Sequence, residues 1–122
     1  MDIHNIASVP AFTTKDGSEI RELLAHRNSC IRHQSLAEAR LKVGATTTLH
    51  YHEQAEEIYY ILQGSGVMEI DGQTAEVGPG DAIAIPPRAL HQITNSGTNV
   101  LTFLCCCAPA YEHEDTTLQE AM

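Results

Sequence analysis

Tryptophan is absent from this 122-residue chain, and aromatic residues make up only 5% of it. A core built here must therefore rest on Val, Ile, Leu and Ala, and the 43% hydrophobic content suffices for one of modest size. Basic residues are also scarce. Seven Lys and Arg face sixteen Asp and Glu, a net charge of −9, and the seven are scattered along the chain. That excludes the basic face needed to hold nucleic acid or an anionic membrane surface. No apolar run approaches the ~18 residues of a membrane span. The start, Met1-Asp2-Ile3-His4-Asn5, lacks the basic-then-apolar order of a secretory leader. No Cys-x-x-Cys spacing occurs. Cysteine stands at Cys30 and in the triplet Cys105-Cys106-Cys107, which cannot pair conveniently with one distant partner. A reducing, cytoplasmic setting is expected, without a disulfide framework.

What is present is period-two alternation. Strands are expected over Ser35–Val43, Thr46–His52, Glu57–Leu62, Val67–Ile70, Gln73–Val77, Ala82–Ile85, His91–Thr94 and Asn99–Cys107. Gly, Pro, Asn and Asp clusters separate them. Asp71-Gly72 is a hairpin signal of the kind that needs positive φ. Many short strands with frequent turn signals indicate a sandwich or barrel. Ser18–Ala25 reads equally as helix or strand, and Thr116–Met122 as a frayed, weakly helical tail. One domain over 1–122 is expected. Its barrel core spans about 35–108, its N-terminal strands about 18–34 and its tail 109–122.

The chemistry concentrates in two patterns. The first is Gly44-(x5)-His50-x-His52-(x4)-Glu57-(x6)-Gly64, and the second is Gly80-(x5)-Pro86-x-Arg88-(x2)-His91-(x3)-Asn95. His50 and His52 lie two apart, so on a strand both imidazoles reach one face. Glu57 shares a face with Tyr59 and Ile61, and Glu56 falls on the solvent side. His91 is expected to supply the fourth ligand from across the chamber. Three imidazoles and one carboxylate form a ligand set for one divalent transition metal per chain. Fe, Mn, Zn, Ni and Cu are all compatible, and coordination positions are left for substrate. His4, His26, His33 and His113 lack ligand spacing and are expected on the surface. Tyr59 has two readings, a group that hydrogen-bonds a ligand or acts as an acid, and wall packing. The cysteine triplet reads as small core residues, or as a thiol at Cys105 facing the chamber.

Both patterns resemble those of the cupin superfamily, and the rest of the chain is similar to small single-domain cupins of the mannose-6-phosphate-isomerase-like kind. Beyond the patterns, Gln34–Glu38, Glu56–Leu62, Gly80-Asp81 and Tyr111–Thr116 carry the resemblance. It implies an all-β fold, a double-stranded β-helix or jelly-roll barrel, with the metal inside. It also implies a homodimer, for which the alternating segments Ile20–Leu24 and Ser35–Val43 would add to a partner's sheet edge. The activity it implies is an oxygenase acting on a small oxygenated metabolite. A sugar or sugar-phosphate isomerase or lyase is the next reading, and a non-enzymatic module binding a small ligand the third. The chain departs from the family at Arg88, where the second pattern usually carries Gly. That substitution suggests another turn geometry. It also makes Arg88 either an exposed structural residue or an anion-binding cation with a catalytic or substrate role. Residues 65–79 between the patterns leave room for one hairpin and no inserted lid.

Overall fold

Eleven short strands form two antiparallel sheets, and the computed structural model describes residues 1–119 of the chain. In chain order they are β1 (Phe12–Thr13), β2 (Glu19–Leu24), β3 (Ser35–Leu41), β4 (His50–His52), β5 (Glu56–Gln63) and β6 (Gly66–Ile70). Then follow β7 (Gln73–Val77), β8 (Ala82–Ile85), β9 (His91–Asn95), β10 (Leu101–Ala108) and β11 (Thr116–Leu118). One sheet runs β1-β2-β3-β10-β5-β8, and the other runs β11-β4-β9-β6-β7. The architecture is a jelly-roll barrel, as the alternation indicated.

The alternation sets which side chains meet. In β5, Glu57, Tyr59 and Ile61 are buried while Ile58, Tyr60 and Leu62 are exposed. In β10, Leu101, Phe103, Cys105 and Cys107 all point inward. The core gathers Leu41, Ile61, Met68, Ile85, Ile93, Leu101 and Phe103, and Phe103 packs against Tyr59 with ring centroids 4.7 Å apart. The polar residues His50, His52, Glu57 and His91 are buried in the same interior.

Several motif residues prove to be structural. Gly64 has φ +91, and a Cβ there would stand 2.8 Å from the Val100 carbonyl oxygen. Only glycine permits that approach. Asn95 donates from Nδ2 to the carbonyls of Leu41 and Asn99 and accepts at Oδ1 from Gly97 N–H, closing its own turn and tying it to the end of β3. The Asp71-Gly72 turn has φ of 48° and 84°, and Ile70 pairs with Gln73 across it, as the hairpin signal required.

The structure changes four expectations. Residues Glu19–Leu24 form a strand, which resolves the helix-or-strand ambiguity. Thr46–His52 is a strand only at its end, because its threonines bond elsewhere. The Thr47 hydroxyl accepts the Ile93 N–H that a regular ladder would pair with a carbonyl, and Thr48 N–H donates to Asp16 O. The expected frayed tail contains β11, which pairs with β4 through Thr116↔His52 and Leu118↔His50; residues 120–122 of that segment lie outside the described residues. Finally, Ser35–Leu41 cannot lengthen a partner's sheet, because β2 and β10 occupy both its edges. Only β2, flanked by the two-residue β1, approaches the sheet margin.

Candidate metal centre

His50, His52 and His91 converge in the barrel interior. Their candidate ligand atoms all lie within 4.8 Å of one another, and the residues are 2%, 5% and 0% exposed. His50 and His52 share a face by strand parity, and His50 lies directly opposite His91 across the β4–β9 pairing. His91 therefore stands beside His50 on the same sheet, which corrects its expected place across the chamber. Glu57 is the residue that arrives from the other sheet. Its Oε1 is 3.1 Å from His52 Nε2 and 3.6 Å from His91 Nε2. Glu56, its neighbour, is exposed.

Each ring has its other nitrogen engaged. His50 Nδ1 lies 2.6 Å from Thr48 O, and His91 Nδ1 lies 2.9 Å from Ala89 O. Both contacts require the proton on Nδ1, because a carbonyl can only accept. His52 Nδ1 is 3.0 Å from Thr116 Oγ1, whose own proton goes to Glu112 O at 3.2 Å, so His52 also donates from Nδ1. All three Nε2 atoms are thereby turned into the chamber, in the second-shell pattern that orients metal-ligating histidines. His91 Nε2 is buried and has no hydrogen-bond partner among the described residues. A buried lone pair with nothing to accept is costly, and a cation at this point satisfies it. The residues present fit a divalent transition metal held by His50, His52, His91 and Glu57.

The electrostatics agree. Burial, and then the neighbouring His91, push the His50 pKa down and favour its neutral form, with Asp16 only partly opposing. For Glu57, burial acts upward, but the hydrogen bond from His52 and the nearby His91 outweigh it and hold the carboxyl at about 2. In the metal-free chain, Glu57 therefore stands as a carboxylate beside His52 and His91. The stability this gives is present above the ordinary Glu value of 4.5 and is lost as pH falls towards about 2.

The chamber around these residues has a free volume of about 40 Å³, room for roughly three waters. It is lined by Ile20, Ala39, Tyr59 and Phe103 and by the more polar Thr14, Asp16, Ser35 and Tyr111. Tyr59 and Cys105 both line it, opposite each other in the β5–β10 pairing. Burial pushes both their pKa values well up, with Glu57 adding to it, so both keep their protons. A second thiol of the triplet, Cys107, also touches the site: its Sγ donates to Glu57 Oε2 at 3.2 Å. Strand parity with Phe103 and Cys105 contains that signal. Burial and Glu57 also raise the Cys107 pKa.

Two further groups shape the site from outside both motifs. Thr116 orients His52, as described. Asp115 accepts the backbone N–H groups of Gln54 and Ala55 on its two carboxylate oxygens, which fixes the loop between His52 and Glu57. The C-terminal segment is thus a strap that sets the spacing of two ligands.

Arg88 does not join the chamber. Its side chain is 73% exposed and pairs with Glu53 at 2.8 Å on the surface. It also keeps the turn that the usual glycine makes, with φ 67, and its N–H donates to His52 O at 2.7 Å. Both the expected catalytic or substrate role and the expected change of turn are corrected. A side chain at positive φ stores about 1 kcal/mol. Arg88→Gly is expected to raise the melting temperature by roughly 4 °C, read by thermal denaturation, and a lower value would show that the Glu53 pair outweighs the strain. His4, His26, His33 and His113 are exposed, and all four cysteines are free.

Comparison with known proteins agrees with this geometry. A family model described as "Cupin domain" matches residues 37–107. An uncharacterized protein of Methanocaldococcus jannaschii is 50% identical over 112 residues, 92% of this chain and 90% of that one. The oxalate-binding protein of Thermotoga maritima is 34% identical over 86 residues, covering 70% and 71%. Among solved structures, the polyketide cyclase RemF of Streptomyces resistomycificus superposes with a TM-score of 0.81 at 25% identity, covering 100% of this chain and 87% of that one. Among the described residues no helix is long and apolar enough to cross a membrane.

Proposed function

Because this chain belongs to the cupin family, we propose that it is a metal-dependent enzyme of oxygenase type acting on a small oxygenated metabolite. The observation that carries this is the convergence of three Nε2 atoms and the Glu57 carboxylate around the partnerless His91 Nε2. A divalent transition ion held there supplies polarisation of a bound carbonyl, enolate or carboxylate and, when redox-active, chemistry with O₂. The chain's own residues bind and exclude. Ile20, Ala39, Phe103 and Tyr59 give the chamber an apolar wall.

Proton-transfer chemistry has less support. An isomerase or lyase needs a positioned acid and base with tuned pKa values, yet Tyr59, Cys105 and Cys107 all hold their protons. Among the described residues no Lys or Arg lines the chamber, which disfavours a sugar phosphate, since phosphates are held by such cations. A second reading, a binding module without turnover, draws support from the 34% identity to an oxalate-binding protein. O₂ uptake by Fe- and Mn-loaded protein against phenolic, dicarbonyl and sugar compounds separates the two. Consumption with stoichiometric product supports the enzyme, and tight ligand binding without consumption supports the module.

A homodimer belongs to the same proposal. The outer face of the larger sheet carries Ile58, Tyr60 and Leu62 at 50%, 42% and 43% exposure, with Cys106 and Ala84 flanking Ile58 in register. Exposed apolar groups gathered on one face suit burial against a second copy. Tyr60→Glu is expected to halve the mass measured by light scattering, and a monomeric mass for the unaltered chain removes the dimer.

A further inference from the structure

The chamber contains a second carboxylate that neither motif includes. Asp16 lies in the loop between β1 and β2, with its side chain 13% exposed. Its Oδ1 is saturated: it accepts from Thr14 Oγ1 at 2.6 Å, Ser18 N–H at 2.9 Å and Ser18 Oγ at 2.7 Å. Its backbone carbonyl accepts Thr48 N–H at 2.8 Å, which seats the loop on the segment leading into His50. That leaves Oδ2 directed at His50 Nε2, 3.5 Å away.

His50 carries its proton on Nδ1, bound to Thr48 O. Its Nε2 therefore offers a lone pair when the ring is neutral. Two acceptors facing each other at 3.5 Å repel unless a cation lies beside them. His91 Nε2, wholly buried and without a hydrogen-bond partner among the described residues, clusters with His50. Two imidazole Nε2 atoms thus each lie near a carboxylate, His50 beside Asp16 and His91 beside Glu57.

We infer that Asp16 is a fifth metal-directed ligand, delivered by the N-terminal loop and aimed by Thr14 and Ser18. The inference rests on the metal reading given above. Its consequence is a trade. Glu57 and Asp16 together neutralise a divalent ion, so the ion is held more tightly. An incoming anion must then displace Asp16 and gains no net charge attraction, so it is held more weakly. Asp16 thereby sets the ligand preference of the centre towards neutral or chelating molecules.

Co(II) as the metal and azide as the anion test this. Asp16→Asn keeps a carbonyl oxygen to accept from Thr14 and Ser18, so the loop geometry survives. It is expected to weaken Co(II) about tenfold in competition with a chelator, and to tighten azide about tenfold, read from the visible Co(II) spectrum. Opposite signs are required, because a merely structural role for Asp16 would weaken both. Weakening of both, or no change in either, overturns the inference while leaving the histidine centre standing. Failure of the unaltered chain to bind Co(II) overturns the inference together with the metal reading. Should Asp16→Asn not fold, Ser18→Ala loosens the carboxylate without removing it and must shift both affinities in the same two directions.

Discussion

Replacing His91 by alanine is expected to leave a folded chain that no longer retains a divalent ion. The imidazole is 0% exposed, and its Nε2 has no hydrogen-bond partner among the described residues. The substitution therefore removes a ligand and an unsatisfied buried atom together. Losing the unsatisfied group relieves a cost of about 1–3 kcal/mol, which offsets the small void and the lost Nδ1 contact to Ala89. The metal-free melting temperature should move little. With metal the two chains should part company. An ion at about a thousand times its dissociation constant stabilises the unaltered chain by about 4 kcal/mol, and His91→Ala forfeits that gain. Melting with and without added Co(II) or Zn(II), beside elemental analysis of protein purified without added metal, measures both effects. Metal content that survived the substitution would contradict the ligand set.

The second large effect is expected at Phe103. This ring is 1% exposed, sits in the middle of β10 and packs on Tyr59. In a chain with two phenylalanines and no tryptophan, little else can fill the space it leaves. Phe103→Ala should cost about 3–5 kcal/mol, a large part of the roughly 5–15 kcal/mol that holds a domain of this size. The midpoint should fall by roughly 10–20 °C. Val43→Ala, at a side chain 55% exposed, should change stability by no more than about 0.5 kcal/mol. Because Tyr59 loses its support, Phe103→Ala should also loosen the chamber wall. Denaturant titration of both variants measures the contrast, and equal losses would mean that the core is centred elsewhere.

The parts of the site that were legible in the sequence are those fixed by strand periodicity. His50 and His52 share a face because they lie two apart, and the same parity separates buried Glu57 from exposed Glu56. Turn chemistry was legible at Asp71-Gly72 because few residues tolerate that backbone. The rest depends on contacts between segments distant in the chain. Nothing around Asp16 announces that its loop folds over His50, since the bond that seats it comes from Thr48. Thr116 supports His52 from 64 positions away, and no local pattern marks a three-residue strand at the end of a polar tail. Arg88 misled for a related reason. A non-glycine residue in a glycine position suggests a new turn, whereas the surrounding bonds, with its N–H held by His52 O, impose the old one. His91 was placed across the chamber because strand order within a sheet is a property of topology, which periodicity does not encode.

The centre as a whole is most directly tested by X-ray absorption on Zn- or Co-loaded protein, which counts the atoms around the ion and distinguishes nitrogen and oxygen from sulfur. Three imidazoles and carboxylate oxygen require a shell at about 2.0–2.2 Å with the multiple-scattering signature of histidine. A sulfur shell at about 2.3 Å would place Cys105 or Cys107 on the metal and contradict the histidine and carboxylate centre.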